Sequence, residues 1–252
     1  MVMCKHAIPK LLASMSEDRR NLIQNQLLSA IPTEEYKRLL PHLETVALTL
    51  KQIIYAPNEP IDYVYFPKSG MISLVNITED GRTVEAATVG NEGMVGIPVF
   101  LRTDRMPGQA IVQIVGNALR MKADVFKREV LPGSQLYNLL LRYTQALLNQ
   151  ISQSVACNSL HSVEQRCCRW LLVTHDRVKA DQFSLTQELL SQMLGVRRAS
   201  VSEVANTLQK QGLIRYSRGK MTILDRQGLE SASCECYRVV KQECDRLLGT
   251  PE

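Results

Sequence analysis

The 252-residue sequence predicts an α+β fold: an antiparallel β-roll, then one long helix, then a mainly helical domain that carries a β-hairpin. Three observations predict it. Short β-branched and aromatic runs alternate with turn residues from about residue 45 to about 115. A single apolar stripe at helical spacing follows, from Leu136 to Val155. The helical period then persists to the end of the chain, interrupted at IRYSRGKMTILD, which reads as two short strands. Composition agrees with a soluble globular chain: 45% of residues are hydrophobic and 22% charged, and no apolar run approaches the length of a membrane span. The opening MVMCKHAIPK lacks the apolar core of a signal peptide, so a cytoplasmic location is expected. The length suits two domains, and the predicted divisions are 1–132, 133–159 and 160–252.

Residues 17 to 44 read as helical, with Leu22, Ile23, Leu27, Leu28, Tyr36, Leu39, Leu40 and Leu43 apolar and breaks at Pro32 and Pro41. The expected strands are ETVALTL, QIIYAP, DYVYFP, MISLVNI, TVEAATV, MVGIPVF and QAIVQIV, separated by turns such as Pro57-Asn58 and Lys68-Ser69-Gly70. Asp80-Gly81 lies between ISLVNITE and RTVEAATV and predicts a hairpin in which both central residues take positive φ. Strands of this length and spacing point to a small antiparallel barrel or roll. Around residue 118 the helical period is expected to return.

After Pro132-Gly133 the apolar positions Leu136, Leu140, Tyr143, Leu147, Ile151 and Val155 recur at spacings of four and three. At ~1.5 Å per residue the stripe is about 30 Å long. It either packs on its own domain or pairs with the same helix of a second subunit, and Leu139 and Leu148 widen the face for both uses. The helix is expected to end near Ser159 to Ser162. VEQRCCRWLLVTHDRV then forms a second helix with Val163, Cys167, Trp170 and Leu171 inward, and QGLESASCECYRVVKQECDRLL reads as one last helix.

The seven cysteines (Cys4, Cys157, Cys167, Cys168, Cys234, Cys236 and Cys244) are odd in number and follow no regular framework, which suggests free thiols in a reducing compartment. On a continuous helix Cys234 and Cys236 would point about 200° apart, and the neighbours Cys167 and Cys168 lack a second pair. They read as small apolar fillers, with redox sensing by one of them as the alternative, and no metal site is expected.

Between Gly195 and Leu224 six basic residues (Arg197, Arg198, Lys210, Arg215, Arg218 and Lys220) face Glu203 alone. One thirty-residue segment therefore carries a charge of +5, the formal net charge of the whole chain. Within it, Ser184 or Thr186 can cap a helix, Leu189, Leu190, Met193 and Leu194 give that helix an apolar face, and Gly195 permits a sharp turn. A second helix starts near Arg197 with Val201, Val204 and Leu208 inward, leaving Arg197, Arg198, Ser200, Ser202, Glu203 and Asn206 outward. Two helices joined through a glycine turn, the second opening on arginines and hydroxyls, suit the major groove of double-stranded DNA. Arginine can read guanine through two bonds, glutamate accepts from cytosine, and serine bonds base or phosphate. The hairpin that follows, turning at Arg218-Gly219-Lys220, makes a basic wing for the phosphate backbone.

These residues resemble the Crp/Fnr transcription regulators, and the resemblance covers nearly the whole chain. It is most specific at Leu194-Gly195, Val201 and the exit Gln211-Gly212-Leu213-Ile214, and extends to YVYFPKSGMISLV and TVEAATVGNEGMVG in the N-terminal half. It implies a cyclic-nucleotide-binding-like β-roll, a long dimerisation helix, and a winged helix-turn-helix domain that binds DNA as a homodimer on a palindrome. The position of Arg198 is then a base or phosphate contact, and those of Ser202 and Glu203 read bases. Glu203 replaces the arginine often found there, so the operator of the better-known members does not carry over. RNA polymerase is a further partner such a regulator implies.

The family's ligand cassette, a Gly-Glu-Leu element followed some ten residues later by Arg-Ser, is poorly matched by VGNEGMVGIPVFLRTDRMPGQAIV. Glu92 can imitate the glutamate and Arg102 or Arg105 the arginine, with Gly90, Gly93 and Gly96 letting backbone N–H groups approach an anion. Neither arginine precedes a serine, and Pro107 sits near the expected pair. Cyclic AMP or cyclic GMP is therefore not the expected effector, which stays unidentified. Cys4 stands alone where the oxygen-sensing branch places its cysteines, and four scattered histidines suggest no haem, so neither an iron–sulfur cluster nor haem is expected.

Catalysis is not expected: the sequence has no glycine-rich phosphate loop, no H-E-x-x-H spacing and no G-x-S-x-G turn. His161 lies near Cys157, yet such a pair without an orienting residue is weak support for a nucleophile. A regulatory subunit acting only on a protein partner would have no use for a groove-sized basic helix.

Overall fold

The computed structural model describes residues 24–249. Cys4 and the first residues of the expected N-terminal helix, Leu22 and Ile23 among them, lie outside this range. The chain begins with α1 (Gln26–Ser29) and α2 (Thr33–Leu39), followed by a 3-10 turn at Leu40–His42. Then come β1 (Glu44–Leu48), β2 (Ile53–Tyr55), β3 (Tyr63–Pro67), β4 (Met71–Ile77), β5 (Thr83–Val89), α3 (Ile97–Phe100), β6 (Gln109–Ile114), β7 (Gly116–Lys122) and α4 (Ala123–Glu129). The long helix α5 (Gln135–Leu160) leads to α6 (Val163–Val178), β8 (Gln182–Ser184), α7 (Gln187–Leu194), α8 (Arg198–Lys210), β9 (Ile214–Ser217), β10 (Lys220–Ile223), α9 (Arg226–Ala232) and α10 (Cys236–Leu248).

The N-terminal strands form two antiparallel sheets, β1-β7-β3 and β2-β6-β4-β5, and a third sheet, β8-β10-β9, belongs to the C-terminal half. This is the α+β architecture expected, with an antiparallel β-roll before the long helix and a winged helix-turn-helix after it. Three expected elements of the N-terminal half differ. MVGIPVF is not a strand: Val95 makes one bridge to Tyr65, and Gly96 at φ 106° with Pro98 in the first turn starts α3 instead. GNALRMK, placed where the helical period was expected to resume, is the central strand of the first sheet, because Ala118, Leu119 and Met121 bury between β1 and β3. In the β4–β5 hairpin only Gly81 has positive φ; the loop closes through Gly81 N–H to Thr78 O (2.8 Å) and Thr78 N–H to Arg82 O (2.9 Å).

Helix α5 is fixed at its start by Ser134, whose hydroxyl accepts from Tyr137 N–H, and by the Glu35 carboxylate, which accepts from Gln135 and Leu136 N–H at 3.0 Å each. A carboxylate there also favours the helix dipole. Leu136, Leu139, Leu140, Tyr143 and Leu147 bury in the β-roll core with Phe66, Phe126 and Met94. Each such leucine contributes ~1.5–3 kcal/mol. A second core, built on Trp170, Leu171, Leu190, Val201, Leu208 and Met221, recruits Met71, Val75 and Ile114 from the β-roll, so the two halves share a packed junction.

Cys234 and Cys236 do not share a helix. Ser233 donates its hydroxyl to Glu230 O and takes an extended conformation, ending α9, so Cys234 sits in a break before α10.

Candidate nucleic-acid interface

Thr186 caps α7, its Oγ1 accepting from Leu189 N–H at 3.1 Å. Gly195 then closes the helix at φ 61°, a conformation that strains any residue with a Cβ. Helix α8 buries Val201, Ala205 and Leu208. Its opposite face exposes Arg197, Arg198, Glu203 and Asn206, with Ser200 and Ser202 half-buried. No side chain caps its first turn, so free N–H groups and the positive dipole end accompany the arginines.

Gln187, which sequence reasoning missed, organises this surface. Its Oε1 accepts from Arg198 Nε at 3.3 Å and from Ser202 Oγ at 3.1 Å. Nothing in the sequence pairs residues eleven and fifteen apart across a turn. The wing turns on two residues, Arg218 (φ 49°) and Gly219 (φ 74°), while Lys220 already pairs with Ser217 in the strand, so the three-residue turn expected there is shorter. Tyr216 ties the wing down: its N–H donates to Gln209 Oε1 (2.8 Å) and its hydroxyl to Leu185 O (3.1 Å). Thr186, Arg218 and Lys220 are exposed.

Behind this surface, α6 docks on the β-roll through polar groups. Arg177 Nη2 lies 2.6 Å from Glu92 Oε1, and the guanidinium also donates to Thr88 O (3.1 Å) and Thr88 Oγ1. Burial alone would raise the Glu92 pKa, yet the Arg177 charge, its hydrogen bonds and the Gly90 N–H hold it below the usual carboxylate range. Nearby, Trp170 Nε1 donates to Glu85 (3.1 Å), which also accepts from Ser73. Burial pushes the Glu85 carboxyl up from 4.5 to about 7, against the Ser73 bond, the Arg169 and Arg177 charges and the Trp170 bond. The folded protein therefore holds this proton more tightly than the unfolded chain, and stability is lost as pH rises from about 4.5 through about 7. Glu85→Gln is expected to melt later than wild type at pH 8, by about 1–3 kcal/mol, with the difference vanishing as pH falls below about 4.5. A pH series of thermal melts checks this.

The candidate ligand residues separate into two groups. Gly90, Glu92 and Gly93 stay together at the junction, where a Cβ on Gly93 would strike the Tyr143 ring. Arg102 and Arg105 are exposed elsewhere and donate to the carbonyls of Lys127 (2.9 Å) and Asn58 (3.0 Å). Arg177, contributed by the DNA-binding half, is the arginine that Glu92 meets instead. A cavity of about 340 Å³ adjoins this pair, lined by Thr88, Glu92, Tyr143, Gln150, Arg177 and Tyr237 among others. The Tyr143 hydroxyl is buried there without a partner.

The predicted dimerisation stripe is used within the protomer: Leu136, Leu140, Tyr143 and Leu147 are buried, Ile151 is half-buried, and Val155 is 63% exposed. Helix α5 lies along the β-roll and needs its fuller apolar face there. A second, thinner apolar row points outward, formed by Leu141 (49% exposed), Leu148 (56%) and Val155 at heptad spacing.

Comparison with known proteins places this geometry. The cyclic nucleotide-binding domain profile matches residues 45–131, and the Crp-like helix-turn-helix domain profile matches residues 165–232. The chain belongs to the Crp/Fnr family. As a Crp/Fnr protein it is a transcription regulator with a DNA-binding helix-turn-helix. It is 23% identical over 199 residues to the CRP-like cAMP-activated global transcriptional regulator of Mycobacterium tuberculosis (strain ATCC 25618 / H37Rv), covering 76% of this chain and 88% of that one. Its fold is similar to FixK2 from Bradyrhizobium japonicum (TM-score 0.65, 18% identity, 76% of this chain and 98% of that chain). It is also similar to a CRP/FNR-family transcriptional regulator from Thermus thermophilus (TM-score 0.63, 21% identity, 75% and 98%). Among the described residues no helix is long and apolar enough to cross a membrane.

Proposed function

We propose that this Crp/Fnr regulator acts in the cytoplasm as a homodimer on a palindromic operator, with residues 1–132 as sensor, 133–159 as linking helix and 160–252 as the DNA-binding unit. The observation that carries the reading is the exposed α8 face, Arg197, Arg198, Glu203 and Asn206, braced by Gln187 and flanked by the Arg218–Lys220 wing. The outward row Leu141, Leu148 and Val155 supports pairing of two α5 helices, since heptad spacing is what two copies of one helix bury against each other. Half-sites then lie one DNA turn apart, roughly 34 Å. RNA polymerase is the partner through which bound protein alters transcription.

The effector differs from cyclic AMP and cyclic GMP in this reading, because Glu92 is occupied by Arg177 and neither Arg102 nor Arg105 reaches it. A small polar molecule in the cavity beside Thr88 and Tyr143 would compete for these groups and shift the docked DNA-binding half between two placements.

Selection of bound duplexes from a random DNA pool, with and without cyclic AMP, tests the proposal. An enriched palindrome independent of the nucleotide is the expected result; a nucleotide-dependent one overturns the sensor reading, and a monomeric half-site overturns the dimer. On the selected site, Arg198→Ala is expected to cost about 1–3 kcal/mol, while Lys220→Ala weakens specific and random DNA alike. Fluorescence anisotropy on both duplexes separates the two.

A further inference from the structure

The turn after α5 and the break before α10 bring together four residues that are distant in sequence and that DNA binding does not use. Cys157 lies in the last turn of α5 and His161 just past its end, while Cys234 sits in the α9–α10 break and Cys236 opens α10. Their donor atoms all lie within 4.8 Å of one another. Cys157 Sγ lies 3.5 Å from Cys234 Sγ, and Cys236 Sγ lies 3.4 Å from His161 Nδ1. We propose that Cys157, His161, Cys234 and Cys236 bind one Zn²⁺ ion, which staples the end of the long helix to the C-terminal segment of the DNA-binding half.

The geometry suits that ion. Zn–S near 2.3 Å and Zn–N near 2.0–2.1 Å in a tetrahedron place donors about 3.5–3.8 Å apart. Four protein donors leave no open position, which marks a structural site and not a catalytic one. Donors this close surround a single ion, not the several irons of a cluster.

Groups around the donors supply what a loaded site requires. His161 Nε2 lies 3.3 Å from Glu235 Oε1, an arrangement that fixes the imidazole with Nδ1 toward the sulfurs. Gln153 Nε2 donates to Cys236 Sγ at 3.0 Å, satisfying a thiolate from outside the tetrahedron. Three thiolates and one imidazole around a dication leave a net charge of −1. The Arg166 and Arg169 charges act on the Cys157 sulfur, and each keeps a buried Nε without a hydrogen-bond partner. Arg166 is itself 8% exposed and donates to Leu194 O, so it links the sulfur cluster to the end of helix α7.

The full-length protein, reduced and stripped of metal, is titrated with Co²⁺ and then with Zn²⁺ against a colorimetric chelator. One ion per chain is expected, with the intense visible bands of tetrahedral thiolate-bound cobalt, displaced by zinc. Cys234→Ser and His161→Ala should abolish those bands, Glu235→Gln should weaken zinc binding about tenfold, and Cys244→Ser should leave it unchanged. Octahedral cobalt bands, uptake well below one ion per chain, or a Cys157–Cys234 disulfide whose reduction restores no metal binding would each overturn the proposal. The wild-type cobalt spectrum decides the matter even if a variant fails to fold. Because no DNA enters the measurement, its outcome is independent of the operator reading.

Discussion

Arg177→Ala is expected to destabilise the docked junction by about 3–5 kcal/mol, the usual cost of leaving a buried carboxylate without its partner. The loss falls on Glu92, which the Arg177 charge keeps ionised in a buried setting, and on Thr88, whose carbonyl and hydroxyl lose the same donor. Chemical denaturation should register it, together with faster amide exchange along β5 and α6. The double variant Arg177→Ala/Glu92→Gln removes the stranded charge and should recover a large part of the loss. If Arg177→Ala unfolds and exchanges like wild type, the ion pair is not what holds the two halves together.

Leu148→Glu is expected to convert the proposed dimer to a monomer. In the proposed seam each subunit contributes one Leu148, and losing two buried leucines at ~2 kcal/mol apiece raises the dissociation constant about a thousandfold. Light scattering after gel filtration reads the mass directly, and an unchanged dimer removes the outward row from the interface. Leu140→Glu is the instructive contrast. Leu140 is fully buried in the β-roll core, so its charge should unfold the protomer and not merely separate two of them.

Those two leucines explain how far the sequence could be read. Helix α5 carries two apolar rows; the denser one, Leu136 to Leu147, is conspicuous in sequence, but which row faces the domain and which faces outward is decided by the sheet it lies on. Local signals carried well: the Thr186 cap, the Gly195 turn and the inward Val201 and Leu208 specify the helix pair within some twenty residues, and the Arg218-Gly219 turn specifies the wing. Non-local pairing did not carry. β7 owes its conformation to two neighbouring strands, β1 and β3, and Arg177 meets Glu92 across 85 residues. The cysteine cluster was hidden twice, by the 77 residues between Cys157 and Cys234 and by the break that Ser233 makes in what reads as one continuous helix.

Helix α5 has 26 residues, about 39 Å at ~1.5 Å per residue, and only His161 and Ser162 separate it from α6. Such an arm works as a lever with almost no slack at its far end. A tilt of ~10° about its first turn displaces its far end by ~7 Å, close to the rise of two base pairs at ~3.4 Å each. In the proposed dimer, two recognition helices that must enter successive grooves together tolerate little error of that size. On that proposal, a signal that shifts α5 by a few ångströms is enough to put one half-site out of reach.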